Sequence, residues 1–154
     1  MSIMDADQQR FIDDIARLFV PWGVPLTAAR LYGYLLLMPD AVDLDRISAD
    51  LEISKSSASV AARLLEQYTL ARRRSIRGTK RILYEVSENY EEMLGQQNRL
   101  LEALANQLLK GAEASPSDKI KARLKDMARV NLAARDAMDE MLRAMSAKRR
   151  NGNA

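Results

Sequence analysis

Apolar positions along the chain recur first at helical spacing, then alternate, then return to helical spacing. From Asp5 to Val20, Phe11, Ile12, Ile15, Leu18 and Phe19 face one way while Asp13, Asp14 and Arg17 face the other, which predicts an amphipathic helix. Pro21-Trp22-Gly23-Val24-Pro25 ends it. A second helix is predicted from about Thr27, as its cap, to Met38, where Pro39 and Asp40 stop it. A short third helix over 43–50 has Asp43 as cap and Leu44 and Ile47 inward. Ser54 caps a fourth, from Lys55 to about Tyr68, with Ala58, Ala61, Ala62 and Leu65 on one face and Ser56, Ser59, Val60, Arg63 and Gln67 toward the other.

After Leu70 the period shortens. Ile82, Tyr84 and Val86 alternate with Arg81, Leu83 and Glu85, as in a half-buried strand, and 71–76 supplies a partner strand. Between them, Arg77-Gly78-Thr79-Lys80 forms the turn, with Gly78 able to take the positive φ of a tight hairpin.

Helical spacing then resumes. A long helix is predicted from Ser87, with Glu88, Glu91 and Glu92 opposing its dipole, to about Gly111. Ser115-Pro116-Ser117-Asp118 restarts the chain, with Ser115 as cap, Pro116 first in the helix and Asp118 third. The last helix carries Ile120, Leu124, Met127, Asn131, Ala134, Met138, Met141 and Met145 in a four-three repeat, and residues 148–154 are expected to be a disordered basic tail.

Composition narrows the function. A length of 154 residues suits one compact domain. The absence of cysteine and histidine removes disulfides, thiol switches, His/Cys zinc sites and Ser-His-Asp triads. No phosphate-binding glycine loop, dinucleotide turn or calcium loop is present, and carboxylates such as Asp43 and Asp45 have only chance spacing, so neither an enzyme nor a cofactor is expected. The apolar run at 35–38 is far too short for a membrane span, and no secretion signal follows Met1, so a cytoplasmic protein without a membrane partner is expected.

The formal net charge is only +3, and its distribution says more than its size. Arg72, Arg73, Arg74, Arg77, Lys80 and Arg81 follow one another without an acidic residue between them. Two short helices joined by a tight turn around Leu51-Glu52-Ile53, followed directly by this basic hairpin, have the order of a winged helix-turn-helix, here spanning 24–86. The expected fold is therefore mainly α with a small β-hairpin, flanked by dimerisation helices over 5–22 and 88–147.

In that arrangement the small polar residues Ser56, Ser57 and Ser59 allow close approach to base edges and phosphates in the major groove of duplex DNA. Lys55 and the wing, comprising Arg74, Arg77, Lys80 and Arg81, neutralise phosphates, and Arg63 reaches a guanine edge or a phosphate. Each clue has a plainer explanation, since serines at a helix start often only cap it and basic hairpins often only protect an edge. Their adjacency favours DNA. The alternative is a winged-helix module whose basic wing docks an acidic protein partner.

These residues also resemble a family. Gly23-Val24-Pro25, Ala29-Arg30-Leu31-Tyr32-Gly33-Tyr34-Leu35-Leu36-Leu37, Leu51-Glu52-Ile53-Ser54-Lys55-Ser56-Ser57-Ala58-Ser59 and Arg63-Leu64-Leu65-Glu66 are similar to the GbsR branch of the MarR-type transcription regulators, over roughly Phe11 to Val86. The resemblance implies a homodimeric regulator, a repressor or activator, on a pseudo-palindromic operator. It places base contacts on Lys55, Ser56, Ser57, Ser59 and Arg63, and wing contacts on Arg77 and Lys80. One departure is Thr69, which stands where a glycine usually follows the aromatic residue; a less open turn is then expected.

Dimerisation also follows from the last helix, whose narrow apolar seam calls for a partner. Candidate interface residues are Phe11, Ile15, Leu124, Met127, Asn131, Met138 and Met141, with Asn131 fixing register. The competing account packs that seam within the chain, against Leu94, Leu101, Leu104 and Leu108. Members of this branch often respond to small molecules, including quaternary ammonium compounds held by aromatic cages, and Trp22, Tyr32, Tyr34 and Tyr90 are the candidates for such an effector pocket. Tyrosines beside leucines at helical spacing are more often core.

Overall fold

A computed structural model describes residues 4–152. The fold is mainly helical with one small three-stranded antiparallel sheet. The chain divides into two compact units, Met1–Glu88 and Asn89–Ala154.

The first unit opens with α1 (Ala6–Phe19), started by a reciprocal capping pair. Asp5 accepts the Gln8 N–H at 2.8 Å and the Gln8 side chain accepts the Asp5 N–H at 3.1 Å. Ile12 and Ala16 are buried from this helix. A 3-10 turn over Val20–Trp22 follows, closed by Gly23 at φ +93°. Next comes α2 (Leu26–Leu37), whose cap is Pro25, two residues before the expected Thr27. Proline fits there because it sets φ and needs no N–H partner. Gly33 lets α2 lie against α1: a Cβ at this position would stand 3.1 Å from the Ile12 Cα, so any side chain would push two backbones apart.

A two-residue strand, β1 (Val42–Asp43), precedes α3 (Leu44–Leu51), and nothing in the hydrophobic pattern predicts it. It is too short to leave a period. Asp43 does cap α3 as expected, accepting the Arg46 N–H at 2.9 Å. Beyond α3, Glu52 takes the left-handed conformation at φ +55°, and α4 (Lys55–Gln67) follows the expected Ser54 cap. The strands β2 (Ala71–Ser75) and β3 (Ile82–Val86) complete a sheet of order β1-β3-β2. The core of this unit is Ile12, Leu31, Tyr34, Leu35, Ile47 and Leu65, all fully buried.

Thr69 corrects the expectation of a less open turn. It adopts φ +60°, the same left-handed backbone a glycine would have supplied, and its hydroxyl donates to the Tyr68 carbonyl at 2.6 Å. A β-branched residue is strained there.

The second unit is an antiparallel pair, α5 (Tyr90–Ala114) and α6 (Asp118–Gly152), and its polar links run in opposite sequence order: Glu91 to Ser146, Asn98 to Asp139, Glu102 to Arg135. The cap of α5 is Asn89 rather than Ser87: the Asn89 side chain accepts the Glu92 N–H at 3.2 Å, and the Ser87 N–H donates to the Leu70 carbonyl at the end of the sheet. The helix also passes Gly111. That glycine lies where a Cβ would meet Leu124 Cδ1 at 3.2 Å, so it serves close packing rather than termination. Buried Ala105, Ala112 and Ala128 have the same effect.

Ser117, not Ser115, starts α6: its hydroxyl accepts the Ile120 N–H and its carbonyl the Lys121 N–H. At the other end the helix continues through 148–152, in place of the expected disordered tail. Arg149 pairs with Glu91 and holds that segment on α5. Residues 153 and 154 lie outside the described residues.

Candidate nucleic-acid interface

The N-terminal turn of α4 presents a cluster of hydroxyls. Ser54 Oγ accepts the Ser57 N–H at 3.1 Å and donates to Ser57 Oγ at 2.8 Å, with Ser56 Oγ also 3.1 Å away. Ser56 and Ser57 are exposed and Ser59 is half-buried. Arg63, one turn on, is exposed, and its Nε donates only to the Ser59 carbonyl, at 3.4 Å. Lys55 reaches Asp45 at 3.0 Å, both side chains being largely in solvent. Val60, 60 % exposed, completes this face. Helical spacing predicts its outward position but not a role in the site, although an apolar methyl is a suitable contact for thymine.

The opposite face of α4 holds it in place. Ala58, Ala61, Ala62 and Leu65 are buried, and α4 packs on α2, α3 and β2. Beneath, Tyr34 Oη donates to Asp50 Oδ2 at 2.6 Å, tying α2 to α3, and Arg46 Nε lies 3.5 Å from the same oxygen. Burial, and then the Asp50 carboxylate, push the Tyr34 phenol well above its ordinary range, so it stays a proton donor. The α3–α4 turn is closed by the Ser48 hydroxyl donating to the Ile53 carbonyl at 2.5 Å and by the Ile53 N–H returning to the Ser48 carbonyl at 3.1 Å.

The hairpin tip is similarly closed. Gly78 has φ +83°, and the Thr79 hydroxyl both donates to the Ile76 carbonyl and accepts the Arg81 N–H. Among the cations between 72 and 81, pairing separates two sets. Arg72 and Arg74 both bind Glu85 Oε1, at 2.5 and 3.2 Å, and Arg81 binds Asp43 Oδ2 at 2.6 Å. Arg73, Arg77 and Lys80 are exposed, with no carboxylate partner among the described residues. Arg73 is not among the sequence candidates; its parity along β2, opposite to that of Arg72 and Arg74, is the signal that separates it. Arg81, and then the Arg46 N–H, hold the Asp43 carboxyl below the usual carboxylate range.

The remaining candidates are distributed differently. Phe11 is exposed and Ile15 half-buried on α1. On α6, Leu124, Asn131 and Met138 are half-buried while Met127 and Met141 are exposed, so the four-three repeat divides between a face turned to α5 and a face turned to solvent. Tyr34 is fully buried and offers no face to a ligand, which removes it from the aromatic cage. Tyr32 makes an edge contact with Phe19 at 5.3 Å, Trp22 is 87 % exposed, and Tyr90 begins α5 in the second unit. No group of three or more Asp or Glu that could hold a metal ion occurs among the described residues. No helix among them is long and apolar enough to cross a membrane.

No protein-family model and no curated protein matches the chain. Among solved structures it superposes on the crystal structure of a transcriptional regulator with a TM-score of 0.76, at 22 % identity, over 92 % of this chain and 99 % of the other. The two share a fold, mainly helical with one small three-stranded antiparallel sheet, as the sequence leads one to expect.

Proposed function

We propose that the chain is a sequence-specific duplex-DNA-binding transcriptional regulator of the GbsR-like, MarR-type kind, acting as a homodimeric repressor. The observation that carries this reading is the juxtaposition, in one unit, of an α4 face bearing Ser56, Ser57, Val60 and Arg63 with a hairpin whose Arg77 and Lys80 have no carboxylate partner among the described residues. Small side chains at the start of α4 let its backbone enter the major groove, and Arg63 has a free guanidinium edge for a base. Lys55 joins them readily, since so exposed a pair as Lys55–Asp45 is worth at most about 1 kcal/mol.

The dimer is supported by exposed apolar side chains on both units, Phe11 and Leu18 on α1 and Met127, Val130 and Met141 on α6. A two-fold dimer implies a pseudo-palindromic operator with half-site centres roughly ten base pairs apart, or a small multiple of that. Selection from randomised duplexes at graded salt tests the proposal. A shared inverted repeat is expected; no enrichment at any salt would overturn the reading and favour a wing that docks protein. Derepression of an operator-linked reporter on deleting the protein tests the sign.

A further inference from the structure

Strand register decides which wing cations are free. Asp43 lies opposite Leu83, and Arg72 opposite Glu85. Alternation along strands therefore puts Asp43, Leu83, Glu85, Arg72 and Arg74 on one face of the sheet, with Arg81 continuing the same parity. The other face carries Tyr84 and Ala71, both buried. The outward face is thus a lattice in which two carboxylates each hold arginine, whereas the charge pattern alone places Arg74 and Arg81 among the groups that meet DNA.

The Asp43 carboxylate has two tasks at once. Oδ1 accepts the Arg46 N–H at 2.9 Å and so caps α3; Oδ2 accepts from Arg81 at 2.6 Å. One side chain therefore joins the start of the helix-turn-helix to the base of the hairpin tip, across 38 residues of sequence. Sheet pairing at that junction is slight, because β1 contributes only Val42 and Asp43. Two-stranded hairpins are marginally stable on their own in water. Asp43 also differs from Asp45, the partner of Lys55: its side chain is 20 % exposed against 76 %. A charge-assisted bond there is the less screened of the two.

We propose that Asp43 and Arg81 form a strut that fixes the wing on α3, so that Arg81 is a positioning residue and the phosphate contacts of the tip fall to Arg77 and Lys80. The proposal rests on the DNA-binding reading for its consequence but not for its geometry. A carboxylate that engaged no cation at this place would repel the duplex; paired, it is neutralised and orients the tip.

Asp43→Asn isolates the strut, because asparagine caps a helix as well as aspartate and only the ion pair is removed. In the free protein, Asp43→Asn and Arg81→Gln should each speed amide hydrogen exchange across Ile82–Val86, leaving the amides of α4 unchanged. On the selected duplex each should weaken binding by about two- to fivefold. The double variant should do no worse than either single one, and the salt slope should stay that of the wild type. Arg81→Lys should restore affinity to within about twofold of wild type.

Phosphate-directed Arg81 gives the opposite pattern. Asp43→Asn would then tighten binding by removing a negative charge, Arg81→Gln would flatten the salt slope by roughly 0.9 per subunit, and either result overturns the strut. Unchanged exchange in Asp43→Asn also overturns it. Should the wild type bind no duplex at all, the DNA-binding reading fails, while exchange in the free protein still decides for or against the strut.

Discussion

Tyr34 on α2 donates its hydroxyl to Asp50 on α3 at 2.6 Å, and the Asp50 side chain is only 8 % exposed. Both helices support α4, so this bond sets the platform under the candidate recognition face. Tyr34→Phe would leave a buried carboxylate with, among the described residues, only the more distant Arg46. We expect a loss of roughly 1–3 kcal/mol in urea unfolding. An unchanged midpoint would show that Asp50 finds another donor.

Thr69 occupies a backbone region that glycine adopts freely. The left-handed conformation costs an ordinary residue about 1–2 kcal/mol, part of which returns as the greater unfolded-state freedom of glycine. Thr69→Gly should therefore stabilise the winged unit by about 0.5–1 kcal/mol. Destabilisation, measured by the same unfolding curves, would mean that the Thr69 hydroxyl bond to the Tyr68 carbonyl outweighs the strain.

The depressed carboxyl of Asp43 makes part of the stability pH-dependent. A carboxyl whose folded-state pKa lies below its unfolded value stabilises above the unfolded pKa, near pH 4, and that contribution disappears as pH falls through the folded value. Asp43→Asn should accordingly cost more stability at pH 7 than at pH 3. Equal costs at both would show that Arg81 does not discriminate between the two protonation states.

Recognition helix and wing should fail in different ways. Arg63→Ala and Ser57→Ala should lose roughly 1–3 kcal/mol on the operator and much less on scrambled duplex, with relaxed base preference. The double change Arg77→Ala, Lys80→Ala should weaken both duplexes by similar factors and lower the salt slope by roughly 0.9 for each phosphate no longer neutralised by a subunit. Isotherms at several salt concentrations separate the two. Equal operator selectivity in every variant would sink the assignment of base reading to α4.

Asn131 lies half-buried on α6 with its Nδ2 enclosed and no hydrogen-bond partner among the described residues. Asn131→Leu removes that unsatisfied donor and should raise stability by roughly 1–3 kcal/mol. If the seam also meets a second copy, association should strengthen, with looser register or oligomer choice. Light scattering and concentration-dependent melting read both; a monomer at micromolar concentration in the wild type would refute the dimer.

Elements built from neighbouring residues are legible in the sequence. Asp43 before α3 and Ser54 before α4 are caps because a short oxygen acceptor next to a helix start satisfies N–H groups a few residues away. The alternation at 82–86 and the glycine at 78 likewise suffice for the hairpin. Where two local solutions compete, the sequence settles less: Pro25 stands at the start of α2 in place of Thr27, and Ser117 at the start of α6 in place of Ser115, one candidate lying within two residues of the other.

What only the tertiary structure decided are the contacts between residues far apart in sequence. Val42 pairs with Tyr84, Arg81 with Asp43 and Tyr34 with Asp50, and no period or spacing encodes such pairs. A run of arginines therefore specifies a basic wing, yet the carboxylates of Asp43 and Glu85 determine which of those arginines are occupied, because an ion pair depends on distance through space and a charge pattern records only distance along the chain.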